Sequence, residues 1–88
     1  MQQITTREWT QITGLDSDKT YILQAQVKRF DSSNVFGLIP VNVMWLQAAA
    51  APAADTVGMI DNKLKASAAS AIYVKSSLDC EIIVQEVI

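Results

Sequence analysis

From Tyr21 to Phe30 the chain alternates: Tyr21, Leu23, Ala25 and Val27 are apolar, while Gln24, Gln26 and Lys28 between them are polar. A period of two puts one face of a strand inward and the other in water. The cluster Asp31-Ser32-Ser33-Asn34 follows and leads directly into Val35-Phe36-Gly37-Leu38-Ile39, so the simplest reading is a hairpin. Pro40 has no N–H for a ladder and belongs at an edge, a bulge or the start of the next strand, Val41 to Gln47. That strand is apolar on both faces, with Val43 and Trp45 on one and Met44 and Leu46 on the other, so both faces need cover. At the C-terminus, Ala71 to Lys75 and Glu81 to Val87 are β-branched runs flanking Ser76-Ser77-Leu78-Asp79. This pattern predicts an antiparallel hairpin in the centre of a sheet.

The remaining segments are less patterned. Glu8 to Thr13, with Trp9 and Ile12 among polar residues, reads as a short or edge strand, and Gly14-Leu15-Asp16-Ser17-Asp18-Lys19 as a turn. In Gln47 to Asp55 the alanines favour helix, but Pro52 stops the run after one turn, so the segment is read as an ordered loop. Asp61-Asn62-Lys63 reads as a turn, and Lys65 to Ser70 as loop or a helical turn. Residues 1–88 are therefore expected to form a single all-β domain, a small antiparallel β-sandwich or jelly-roll-like barrel of about six to eight strands.

Composition narrows the function. Of 88 residues, 50% are hydrophobic and 18% charged; there is no His and one Cys. The commonest general base and metal ligand are thus missing, and no disulfide can form within one chain. A domain this small buries only roughly 60 to 65% of its unfolded surface, which makes self-association or docking on a larger assembly a natural source of further stability. Seven basic and nine acidic residues, spread without blocks, leave no electrostatic footprint for nucleic acid or an anionic membrane. Met1 to Thr6 has neither a basic nor an apolar leader region, and no stretch has the length of an apolar membrane span, so a soluble protein made in the cytoplasm is expected.

Candidate chemistry is sparse. Asp16 and Asp18 form a D-S-D pair, but the Gly and distant Glu of a calcium-binding helix-loop-helix are missing, and a plain turn accounts for them. Cys80 opens a predicted strand without a His to activate it and reads as a buried, inert thiol. Ser76, Ser77 and Lys75 are adjacent on the predicted hairpin and point apart. No catalytic residue, metal site or cofactor site is therefore expected. The large apolar residues Trp9, Trp45, Met44, Phe30 and Phe36 read mainly as core, with a subunit interface as the other use of such side chains.

Four segments in order carry a family resemblance: Tyr21-Ile22-Leu23-Gln24, Ala50-Ala51-Pro52-Ala53-Ala54-Asp55 with Gly58, Ile72-Tyr73-Val74-Lys75-Ser76, and Ile82-Ile83-Val84-Gln85-Glu86. Over about residues 15 to 88 the chain resembles small bacteriophage virion proteins, departing from their pattern in the long apolar segment Val35 to Leu46. The resemblance implies a β-sandwich subunit of a phage particle, in capsid decoration or in the tail, located in the virion and acting by homo-oligomerisation and docking on other virion proteins. It carries no catalytic residues to transfer. A free binding module, an adaptor or carbohydrate-binding sandwich, is the alternative; it calls for exposed aromatics on loops, whereas Trp9 and Trp45 both fall in predicted strands. Val41, Met44, Leu46 and Trp9 are the candidate interface residues, with a second subunit or the alanine-rich loop as the cover for Met44 and Leu46.

Overall fold

A computed structural model describes residues 2–4, 7–31, 34–77 and 79–87, and within these it describes only the backbone of 2–3, 28–31 and 34–39. The chain folds as a small antiparallel β-sandwich. Its strands are β1 (Gln2–Ile4), β2 (Thr10–Gln11), β3 (Thr20–Asp31), β4 (Asn34–Pro40), β5 (Val43–Ala48), β6 (Met59–Asp61), β7 (Lys63–Ser67), β8 (Ala71–Lys75) and β9 (Cys80–Glu86). The first sheet runs β1-β9-β3-β4, with β7 also on β3; the second runs β2-β8-β5-β6.

The 12-residue β3 organises the first sheet. At about 3.3 Å per residue it is ~40 Å long, close to the 45 Å long axis of the molecule. Tyr21 to Gln26 pair with β9 along one edge. The other edge is shared: Thr20 to Gln24 pair with β7, and Gln26 to Asp31 pair with β4. The change of partner falls on Ala25, whose N–H donates to the Asn62 carbonyl at 2.9 Å while its carbonyl accepts from Val41 N–H at 3.1 Å. No ladder group is lost at the junction, as burial of the backbone requires.

The alternation read from the sequence is the burial seen. Tyr21, Leu23 and Ala25 are buried and Val27 packs beside them, against Ile4, Cys80 and Ile82 of the same sheet and Val43, Trp45, Ile72 and Val74 of the other. Trp45 is almost fully enclosed, and its indole N–H reaches the Asp61 carbonyl at 2.9 Å, so this large side chain is buried with its donor satisfied. Tyr21 closes one end, its hydroxyl accepting from Asp16 N–H at 2.9 Å. Beside it, Lys19 bridges Glu86 at 2.8 Å and Asp16 at 3.3 Å. The outer row of the first sheet holds an unexpected pair: Gln26 and Glu81 stand opposite each other and both are buried.

Several expectations are corrected. Ala71–Lys75 and Cys80–Glu86 are not a hairpin: β8 lies between β2 and β5 in one sheet, and β9 lies between β1 and β3 in the other. Each is central to its own sheet, so the chain changes layer between Lys75 and Cys80. Lys65 to Ser70 is neither loop nor helical turn over its first part; Lys63–Ser67 is a strand, with Leu64 and Ala66 packed on the core. Asp61-Asn62-Lys63 is likewise a crossing between sheets, because β6 and β7 belong to different ones. The apolar strand begins at Val43, two residues later than expected, since Val41 and Asn42 carry the chain from β4 to β5. Among the described residues there are nine strands where about six to eight are expected, the additions being the short or small-residue ones. The β3–β4 pair is the hairpin expected, with a register shift between Arg29 and Asp31; Ser32, Ser33 and Leu78 lie outside the described residues, as do the side chains of Phe30 and Phe36.

Leu23 tests the central position of β3, for it is opposite Leu64 on one side and Val84 on the other and has no exposed surface. Leu23→Ala is expected to cost about 2 to 5 kcal/mol, much of the stability available to a domain this small. Urea denaturation checks this; a loss comparable to that of an exposed Leu→Ala change would contradict it.

Candidate interaction surface

The outer face of the second sheet is built by the residues that alternate with its core positions. Ile72 and Val74 face inward on β8, so Tyr73 and Lys75 face outward; on β5 the same logic turns Met44 and Leu46 outward. In register, Lys75 lies opposite Met44 and Met44 opposite Ile60, while Tyr73 lies opposite Leu46. Tyr73 is nevertheless buried, and Met44 and Leu46 are half-buried.

The cover comes largely from the alanine-rich segment 49–58. Lys75 Nζ donates to the Ala54 carbonyl at 2.7 Å, which ties the segment across β8. At its end, Gly58 is pressed against the Trp45 carbonyl and the Trp9 ring: a Cβ built there would overlap the carbonyl oxygen and stand 2.7 Å from Trp9 Cη2. Glycine is needed for close approach, not for a special φ. Lys75 Nζ also stands 6.0 Å from the centroid of the Trp9 ring, the outer limit of a cation–π contact. Leu46 lines one cavity with Val57, Gly58 and Met59.

An apolar ledge remains at the β6 edge. Val57 is 76% exposed, Met59 64% and Ile60 62%. Ile60 and Met44 line a cavity of about 290 Å³ bordered by Arg7, Lys75, Ser76 and Ser77. Met59 lies opposite Trp45 and Ile60 opposite Met44, so the two project from the two sides of this edge; exposed large apolar side chains at a sheet edge are the kind of surface that protein partners cover.

The structure brings Trp9, Met44 and Leu46 to this outer face but not Val41, which is half-buried at the β4–β5 corner and packs on the core. Trp9 lies just before β2 and not within a strand; its Nε1 is buried and has no hydrogen-bond partner among the described residues. Val57, Met59 and Ile60 are not singled out by the sequence, because no periodic pattern marks a loop and a three-residue strand.

The groups examined for chemistry have structural roles. Cys80 is buried, and burial pushes its thiol pKa up; a hydrogen bond with Ser76 lowers it and the Asp79 charge raises it. A thiol so placed is a poor nucleophile at neutral pH. Lys75 is held by Ala54. Asp16 closes a turn, accepting from Lys19 N–H at 3.1 Å and pairing with its ammonium. Among the described residues, no three Cys, Asp or Glu converge on a point where a metal ion would sit. Compared with protein-family models, characterised proteins and solved structures, the chain matches none.

Gly58→Ala tests the packing of segment 49–58. The added Cβ meets backbone at Trp45, so the segment must shift; a loss of about 1 to 3 kcal/mol and a red shift of indole emission as Trp9 moves toward water are expected. Unchanged melting temperature and emission would show that the segment does not lie against the sheet.

Proposed function

We propose that this chain is a non-enzymatic structural subunit of a bacteriophage virion, in capsid decoration or in the tail, working by self-association and by docking on the particle. The observation that carries the reading is the apolar ledge of Val57, Met59 and Ile60 at the edge of the second sheet. The ordered set of sequence segments supports the virion context, and the β-sandwich is the architecture that this resemblance implies. The roles of Cys80, Lys75 and Asp16 within the fold support action without chemistry.

The geometry does not favour a free carbohydrate-binding module. Such a site presents an aromatic ring face to solvent, whereas the end of the Trp9 ring is wedged beside Gly58. Association through the ledge removes apolar side chains from water at about 25 cal/mol per Å², and the gain is largest for a domain whose own core is small.

Sedimentation velocity is expected to show the unmodified chain as an oligomer at high concentration. The double variant Met59→Lys/Ile60→Lys, at positions already exposed, should keep its β circular dichroism and weaken association by about tenfold or more. A monomeric unmodified chain would contradict the self-association, and unchanged association of the double variant would remove the ledge from it.

A further inference from the structure

The cavity on the outer face of the second sheet has two chemically distinct sides. Lys75, Met44 and Ile60 lie in one row across β8, β5 and β6, because Met44 is opposite both of the others. Two strand spacings, roughly 10 Å, separate a cationic side, where Arg7 and Lys75 stand with Ser77, from an apolar side formed by Met44 and Ile60. Among the described residues the lining holds two cations and no carboxylate. Lys75 gives one N–H to the Ala54 carbonyl and keeps two donors. Arg7 is exposed and has no ion-pair partner among the described residues. Elsewhere the fold pairs such a group: Lys19 meets both Asp16 and Glu86.

A group matched to this cavity carries a carboxylate on one side and a small apolar body on the other. The volume of about 290 Å³ is at the lower limit of small-molecule sites and suits one or two side chains, not a sugar chain. The chain carries such a pair on the same face. In segment 49–58, Asp55 and Val57 are both exposed, Val57 by 76%. Two residues apart, they span at most about 7 Å, and the reach of the Arg7 and Lys75 side chains makes up the remaining distance. Asp55, like Arg7, has no ion-pair partner among the described residues. The projection is held in shape: Thr56 N–H closes a turn on the Ala53 carbonyl at 3.0 Å, and Lys75 Nζ holds the Ala54 carbonyl at 2.7 Å. A projection ordered before contact loses little further freedom on binding.

Projection and cavity adjoin at Lys75, which holds the one and borders the other. Complementary features at opposite ends of a molecule propagate from copy to copy. Features side by side on one face instead close on a two-fold axis, each copy giving its projection and receiving the other's. The outer face of a sheet is a broad side of a molecule 45 × 34 × 18 Å in extent, large enough for the usual contact of about 800 Å² per partner.

We infer that the outer faces of the second sheet join two copies as a symmetric dimer, with Asp55 of each copy at Arg7 and Lys75 of the other and Val57 of each against Met44 and Ile60 of the other. This deepens the proposed self-association and rests on it. Val57 and Ile60 are covered in the one contact. Met59, opposite Trp45, projects from the other side of the β6 edge and stays available for docking on the particle.

Charge reversal tests the pairing. In Asp55→Arg and in Arg7→Glu, like charges face each other at both arms of the dimer, so each chain alone is expected to dissociate at least tenfold more readily in sedimentation velocity. An equimolar mixture of the two should recover the dimer, because Arg at 55 then meets Glu at 7 in one arm and the unmodified pair meets in the other. Asp18→Arg, an exposed acid away from this face, should leave association unchanged. If a reversed chain loses its β circular dichroism, Asp55→Asn and Arg7→Gln replace the two, each with a several-fold loss expected. An oligomer indifferent to both reversals, or reversed chains that stay apart when mixed, overturns the reciprocal contact and leaves the proposed assembly role standing. A monomeric unmodified chain overturns both.

Discussion

The structure depends on one strand having two partners in succession along a single edge. β3 is too long for any one neighbour: β7 covers its first part and β4 its second, and the exchange takes place across Ala25. Because Asn62 and Val41 supply the acceptor and donor there, the backbone of β3 stays bonded through the junction. A side chain as small as alanine, without exposed surface, suits a point where two chain segments converge on the strand while Ile82 sits opposite on the other side. Both segments are also corners, so the same junction carries the chain from β4 to β5 and from β6 to β7, from one sheet to the other.

These corners explain which parts of the fold were legible in the sequence. Alternation correctly identified the inward residues of β3 and separated the two faces of β5, because burial of one face is a property of the strand itself. It does not say which of two sheets a strand joins. Ile72 and Val74 and, from the other layer, Cys80 and Ile82 all point into the same core. A polar connection between two such strands therefore reads as a hairpin although it crosses the sandwich. β7 escaped for a different reason: its inward residues are Leu64 and Ala66, and alanine adds little apolar signal among lysines and serines. β1 escaped because three residues are too few for a period to show.

The surface follows from the same geometry. The two apolar sets of β5 correctly signalled that its outer face needs cover, and segment 49–58 supplies much of it, held by Lys75 and by the space left at Gly58. That packing brings Val57, Met59 and Ile60 to the rim, exposed at the edge of the second sheet. Periodicity could not single them out, since their exposure arises from the path of a loop. The segment Val35 to Leu46 stood out as a long apolar departure from the pattern of the resembled family; only the topology shows that β4, within it, lies at the end of a sheet.

The central claim is that β3 stays fully hydrogen-bonded through its change of partner at Ala25, where Asn62 accepts from it and Val41 donates to it. Amide hydrogen exchange, read residue by residue by NMR, tests this most directly. The amides of Ala25 and Val41 should be protected to the same degree as that of Leu23, set by the opening of the domain itself. Exchange at Ala25 and Val41 as fast as in an exposed loop, beside a protected Leu23, would contradict the account.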